Sequence, residues 1–273
     1  LFLAPLIRLN FWVAFCAFLL SEQQLYFFAK NLQLSFFIFF SVLASYNLQR
    51  LYTLRKSPFI VQFDRWKWVS ENKKLIFLIG IIASLICTIF FFTFNWKSKL
   101  IIIFTTLISL FYIFIPRFLP NGLRAIPFLK AGFVALSWAF VMVLLPYFSF
   151  EQKTQTNVLL HVTEIFLFMF SITQPFDIRD LELDKKSNIK TLPMVIGIEN
   201  TKFLCLFTLL ISLVISFFIY ENTFFIGIAL SAAYTAFLIV FSTPSKSEYY
   251  YSFFLESTML VRVLLVYLTI KFF

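Results

Sequence analysis

The chain reads as an all-α polytopic membrane protein: a bundle of nine transmembrane helices in a single membrane domain over residues 1–273. Three observations predict this. First, 61% of the residues are hydrophobic and only 13% are charged, more apolar surface than a soluble domain of this size could cover. Second, the apolar residues fall in runs of about 20, the length that crosses the hydrocarbon core as a helix. Third, Lys and Arg gather on alternate connecting segments, as expected when they stay on the cytoplasmic side.

Taken in order, the runs lie near 3–21, 34–54, 75–94, 99–115, 126–148, 157–176, 202–220, 223–241 and 251–270. The first resembles a secretory signal in its apolarity, but no basic leader and no small-x-small cleavage site flank residues 9–20, so a first membrane helix is expected. The polar turn "NWKSK" between the third and fourth runs, and "ENT" between the seventh and eighth, are short enough to make antiparallel neighbours. Cys16, Cys87 and Cys205 are isolated inside apolar runs, with no metal-binding spacing, and are expected to be buried thiols. The 42 Phe residues support the membrane reading in bulk, and none is given a role.

With the N-terminus on the cytoplasmic side, 17 Lys and Arg residues fall inside and five outside, with Arg262 in the last span. This bias supports that orientation and the nine spans. It also accounts for the net charge of +10, which in a soluble protein would suggest a nucleic-acid partner; none is expected here. The expected location is a bacterial inner membrane. The two large charged loops, 50–74 and 177–202, follow the second and sixth spans, and both face the cytoplasm in this scheme.

The second of these loops opens with "DIRDLELDKKSNIKTLP", from Asp177 to Pro193. If the sixth helix continues past its apolar run, Asp177, Asp180 and Asp184 fall within about 60° of one another, and Glu182 points elsewhere. Three like charges on one face repel, and a hard divalent cation such as Mg²⁺ would hold them together. The alternative is a solvated helix end whose acids pair with Arg179, Lys185 and Lys186.

This stretch, followed by "MVIG", resembles the second aspartate-rich motif of the UbiA superfamily of intramembrane prenyltransferases. Asp177, Asp180 and Asp184 match the motif's acids, Lys190 precedes Thr191-Leu192-Pro193, and Gly197 follows. The segment "IPRFLPNGLRAIPFLK" looks like the family's link between the fourth and fifth spans, and the nine-span layout agrees. The resemblance implies a helical bundle of the UbiA type with a central cavity. Two aspartate-rich motifs would face each other across its cytoplasmic mouth, binding Mg²⁺ and the diphosphate of a prenyl donor. A hydrophobic acceptor drawn from the membrane lipid phase would capture the prenyl group, and apolar walls would exclude water. Asp177, Asp180 and Asp184 are thereby the expected metal-binding and catalytic residues.

The first motif departs from the family pattern. In "SYNLQRLYTLRKS", Asn47 stands at the leading Asn, but the expected acids fall on Leu48, Leu51 and Arg55. Asn47 and Arg50, at i and i+3, could face the diphosphate instead, Arg50 by direct contact with phosphate oxygens. Asn47 could equally make a hydrogen bond between helices, and Arg50 could be a positive-inside anchor. Lys190 is the third candidate for the diphosphate. His161 and Glu164, one turn apart in the sixth span, are expected to be an interhelical polar pair. Glu256 and Arg262, in the ninth, receive no assignment. The loss of the first motif's acids leaves open a UbiA-like protein that binds isoprenoid diphosphate or partner proteins without turnover. An unrelated transporter fits less well: the chain has only five Gly, and its charge lies at the membrane edge, not the midplane.

Overall fold

The structure is a computed structural model that describes residues 3–27, 31–113, 129–150, 157–187 and 189–272. Within these residues all regular structure is helical. Seven helices are long and apolar enough to cross a membrane: Leu32–Lys56, Lys73–Thr93, Lys130–Ser149, Val158–Arg179, Ile198–Ile219, Asn222–Val240 and Tyr250–Phe272. Much of the expected link between the fourth and fifth spans lies outside the described residues.

The first expected span is two helices, α1 (Leu3–Arg8) and α2 (Phe11–Leu25). They part at Asn10, whose backbone is left-handed, with φ 63°. Its side-chain amide donates to Asn47 Oδ1 at 2.9 Å, so a contact 37 residues away accompanies the break. At 1.5 Å per residue, the 15 residues of α2 are shorter than a bilayer core. Then come α3 (Leu32–Lys56), whose N-cap Asn31 accepts from Leu34 N, the short α4 (Asp64–Glu71), α5 (Lys73–Thr93) and α6 (Trp96–Ile113). The next span is α7 (Leu129–Ala139), a π-helical turn over Phe140–Leu144, and α8 (Leu145–Ser149).

After it come α9 (Val158–Arg179), the short α10 (Leu181–Lys186) and α11 (Leu192–Ile196), and then α12 (Ile198–Ile219) and α13 (Asn222–Val240). A second π-helical stretch, Tyr250–Leu255, leads into α14 (Thr258–Phe272). α2 packs on α3, α3 on α5, α7 on α6 and α9, and α12 on α9 and α13; α13 packs on α14, and α14 returns to α2. Gly227 permits a close approach of α13 to α14: a Cβ there would stand 2.5 Å from Val266 Cα.

The interior is lined by residues such as Phe168, Met142 and Leu145, together with buried Ser35, Ser212, Ser216 and Thr235. Small and hydroxylated residues between helices are what lets membrane helices approach closely. The outer surface carries Phe92, Phe203, Phe218 and other large apolar side chains, which only lipid would cover. This is the construction of an integral membrane protein. Tyr249 is exposed, whereas Trp66 and Tyr251 are buried, the latter with its hydroxyl donating to Thr243 O at 2.6 Å.

The two charged loops meet at one end of the bundle. Leu183, in the acidic loop, packs in one apolar cluster with Ile60, Trp66 and Val69 from the 50–74 loop. Arg65 reaches Asp180 at 3.6 Å.

Candidate functional site

Helix α9 begins at Asn157, whose side chain accepts from Leu160 N, and ends at Asp180, whose backbone (φ −87°, ψ 12°) leaves the helical region. The chain restarts at once as α10. Asp184 N bonds Asp180 O at 2.8 Å, and Ile189 N bonds Asp184 O at 2.9 Å, which secures the short helix at both ends. Burial of Leu183 beneath the 50–74 loop fixes its rotation. The motif is therefore two helices meeting at a corner, and the three aspartates do not share one face.

Two of them converge. Asp177, near the end of α9, and Asp184, on α10, both reach Lys130 at the start of the α7 span: Nζ lies 2.5 Å from Asp177 Oδ1 and 3.0 Å from Asp184 Oδ2. Asp177 is 6% exposed and Asp184 fully buried. Asp184 Oδ1 has no hydrogen-bond partner, and neither has the buried hydroxyl of Thr191.

Asp180 turns away from this pair. Its two oxygens accept from Arg179 Nε and Nη2, each at 2.9 Å, with Arg65 beside them. Arg179 also lies over the rings of Phe176 and Tyr251 and donates to Ser252 Oγ at 3.3 Å. Burial alone would raise the Asp180 pKa; the Arg179 and Arg65 guanidinium groups outweigh it and hold the carboxyl well below the usual carboxylate range. Beside this cluster is a cavity of about 490 Å³, lined by Arg65, Arg179, Asp180, Glu182, Lys246 and Glu248 among others.

The remaining candidates stand apart from Lys130. Asn47 is buried, and its amide is fully engaged: Oδ1 accepts from Asn10, and Nδ2 donates to Leu9 O at 3.0 Å and Leu43 O at 2.9 Å. Arg50 donates to Arg8 O at 2.5 Å, with the charges of Arg65, Arg179, Glu248 and Glu256 around it. Lys190 is exposed, just before Thr191. The Asp177–Asp184 pair and the Asp180–arginine cluster are thus neighbouring but separate.

The donor set can be tested against Mg²⁺. Two buried carboxylates close enough to share one ammonium, one of them with an oxygen unused, form an all-oxygen pair that suits a hard cation. Among the described residues no group of three or more His, Cys, Asp or Glu could hold a metal ion. The residues fit a cation held by two carboxylates, with water and substrate oxygens completing its shell, and Lys130 now occupies the position between them.

Sequence reasoning passed over Lys130. It stands in the quoted link segment, and its meeting with acids 47 and 54 residues later leaves no local pattern. It also left Arg262 without a partner. Arg262 Nη1 and Nη2 lie 2.7 and 3.0 Å from the two oxygens of Glu164, fully inside the bundle. Tyr220 and Ser212 donate to the same carboxylate, and Tyr220 Oη lies 3.4 Å from His161 Nδ1.

The fold is similar to that of solved structures of UbiA homologs. One from Archaeoglobus fulgidus bound to GPP and Mg²⁺ is 14% identical, with 97% of this chain and 99% of that chain covered and a TM-score of 0.69. One from Archaeoglobus fulgidus bound to DMAPP and Mg²⁺ is 14% identical (98% and 99% covered, TM-score 0.65). The apo structure of a homolog from Aeropyrum pernix K1 is also 14% identical (97% and 96% covered, TM-score 0.59). At this identity the likeness is one of fold. No curated protein matches the chain by sequence. The model of the UbiA prenyltransferase family matches residues 69–258. That match spans well over half of the chain, including both the Lys130 segment and the acidic motif, and the chain therefore belongs to the UbiA prenyltransferase family.

Proposed function

We propose that this protein is an integral-membrane prenyltransferase that moves a prenyl group from an allylic isoprenoid diphosphate to a lipophilic acceptor, assisted by Mg²⁺. The observation that carries this reading is the convergence of Asp177 and Asp184 on Lys130 at one end of the bundle, in a chain of this family. Homologs of the same fold solved with GPP or DMAPP and Mg²⁺ support an allylic diphosphate as donor. The positive-inside bias supports nine crossings, with α1 and α2 together and α6 as the two beyond the seven longest, and a site on the cytoplasmic face; the membrane we propose is a bacterial inner membrane.

In this reading Asp177 and Asp184 hold the cation. Bound Mg²⁺ supplies positive charge to the leaving diphosphate. Lys130, already between the two acids, offers its ammonium to the diphosphate oxygens once they have a second counter-ion. Exposed Lys190 meets the diphosphate from the surface side. Arg179 and Arg65 fix Asp180, and Asp180 stays outside the metal set. Asn47 holds α1, α2 and α3 together and does not bind substrate, and Arg50 adds to the positive field beside the mouth. The allylic C–O bond breaks with its electron pair leaving on the diphosphate. The acceptor's nucleophilic atom forms the new bond to that carbon, and the proton it gives up passes to the diphosphate. Apolar walls shield the allylic carbon from water.

Family membership removes the unrelated transporter. The binding protein without turnover stays as the second reading, favoured by Leu48, Leu51 and Arg55 where the first motif's acids belong. The test is transfer. Protein in lipid nanodiscs receives radiolabelled geranyl diphosphate, Mg²⁺ and a lipid extract of its host membrane. Label entering an organic-soluble product with release of diphosphate, both stopped by EDTA, is the expected result. Donor binding without transfer would select the second reading, and no donor binding would overturn both.

A further inference from the structure

Helices α3 and α5 lie side by side and antiparallel. A Cβ on Gly80 would stand 2.9 Å from Leu48 Cδ2, and towards the other end Gln33 donates to Thr93 Oγ1. Leu48 is thus level with Gly80, on facing lines of the two helices. A step of seven residues returns a helix to the same face within about 20°. Taken towards the 50–74 loop, that step leads from Leu48 to Arg55 and from Gly80 to Lys73. Arg55 and Lys56 stand in the last turn of α3, and Lys73 and Lys74 open α5. Two pairs of cations therefore meet at one height, where two spans end, and all four are exposed.

Helix stability accounts for one pair only. A helix C-terminus favours cations, which suits Arg55 and Lys56. A helix N-terminus disfavours them, and the first turn of α5 holds no acid to offset Lys73 and Lys74. Among the described residues, Arg55, Lys73 and Lys74 take part in no ion pair, and neither does Glu71, the acid nearest to Lys73 in sequence. Topology asks for positive charge on this side of the membrane, but not for two pairs brought to one level.

The surface beside the cations is apolar. Phe77, Leu78, Ile81, Ile82 and Leu85 follow Lys74 along one face of α5, and all are exposed. Lys74 stands at the head of a stripe that only lipid would cover.

We propose that Arg55, Lys56, Lys73 and Lys74 bind the headgroup of an anionic phospholipid whose acyl chains lie along the α5 stripe. Clusters of four or more basic residues at the ends of spans attract such headgroups. A phosphate between the two pairs offsets their mutual repulsion, and the stripe receives the chains, which a soluble phosphate lacks. The lipid also ties the two ends of segment 57–72 together. That segment packs over Leu183 and brings Arg65 to Asp180, so the bound lipid steadies the loop beside the acidic motif. The proposal does not depend on prenyl transfer.

The full chain, in neutral detergent, is equilibrated with mixed micelles of phosphatidylglycerol and phosphatidylcholine in equal amounts. Retained lipid is counted by native mass spectrometry, and melting temperature is measured with each lipid alone. Wild type should retain phosphatidylglycerol over phosphatidylcholine by at least about fivefold and melt higher with it. The triple variant Arg55→Gln, Lys73→Gln, Lys74→Gln should lose both preferences. If it fails to fold, the double variant Lys73→Gln, Lys74→Gln carries the test, since it removes only the cations that the start of α5 disfavours. Lys67→Gln, Lys185→Gln, Lys186→Gln takes the same charge from exposed positions in the two charged loops and should keep both preferences. Equal retention of the two lipids by wild type would overturn the proposal. So would an equal loss in the control variant, which would leave only a general attraction to positive charge. Glycerol phosphate that raised the melting temperature in phosphatidylcholine as much as phosphatidylglycerol does would overturn the lipid assignment in favour of a soluble anion.

Discussion

Lys130 and Asp184 meet at 3.0 Å although 54 residues and two membrane helices separate them, and the same ammonium reaches Asp177. One positive charge thus serves two buried carboxylates. Without it they would face each other uncompensated, and breaking a buried ion pair in this way costs about 3–5 kcal/mol. Lys130→Met should therefore lower the melting temperature markedly in metal-free buffer. Mg²⁺ should restore much of that loss, because the cation takes over the neutralising role and stabilises by mass action. Melting curves with Mg²⁺ and with EDTA check this. Equal melting temperatures in both buffers for the variant would show that the two acids do not accept the metal.

The Glu164–Arg262 pair makes a second prediction. Arg262 reaches both oxygens of Glu164, at 2.7 and 3.0 Å, and Glu164 stands about 20 Å along α9 from Asp177. Arg262→Met leaves Glu164 charged and buried, and should cost about 3–5 kcal/mol. The double change Glu164→Gln with Arg262→Met removes both charges and should recover most of that. Donor affinity in the folded fraction of the double variant should match wild type. A double variant as unstable as the single one would mean that the pair contributes more than mutual neutralisation.

Close helix packing is the third test. At Gly227 a Cβ would stand 2.5 Å from Val266 Cα and 2.7 Å from Val266 N, which are backbone atoms that cannot rotate aside. At Gly132 nothing lies within 4 Å of the added atom. Gly227→Ala should force α13 from α14 and cost about 1–3 kcal/mol. Gly132→Ala should be neutral or slightly stabilising, since alanine favours the helix. Thermal unfolding of the two variants side by side decides it.

Asn47 separates structure from function. Its amide makes three hydrogen bonds, to Asn10, Leu9 and Leu43. Asn47→Ala should leave Asn10 unsatisfied at the break between α1 and α2, with a loss of about 1–3 kcal/mol. Donor affinity of the protein that remains folded should be unchanged. A selective loss of donor binding at full stability would return Asn47 to the diphosphate.

What could be read from the sequence follows from what local chemistry determines. Apolar runs located the seven long helices, because lipid demands about 20 apolar residues wherever a helix crosses. The break at Asn10 was hidden inside such a run: its left-handed backbone goes with a partner 37 residues away. The acidic motif was visible as a pattern, and its family match holds. The shared helical face was an extrapolation of α9 beyond Asp180, and the corner there depends on Leu183 and Arg65 contacts with a distant loop. Lys130 and Arg262 were visible as charges, but which acids they neutralise is decided by packing alone.

The most direct measurement is binding of a non-hydrolysable prenyl diphosphate analogue to wild type, Asp184→Asn and Glu182→Gln, each with Mg²⁺ and with EDTA. Asp184 has a buried, unused oxygen beside Asp177, whereas Glu182 is exposed. The account predicts tight, Mg²⁺-dependent binding by wild type and Glu182→Gln, and loss of that binding in folded Asp184→Asn. Mg²⁺-dependent binding that survives Asp184→Asn would contradict it, because the cation would then be held elsewhere.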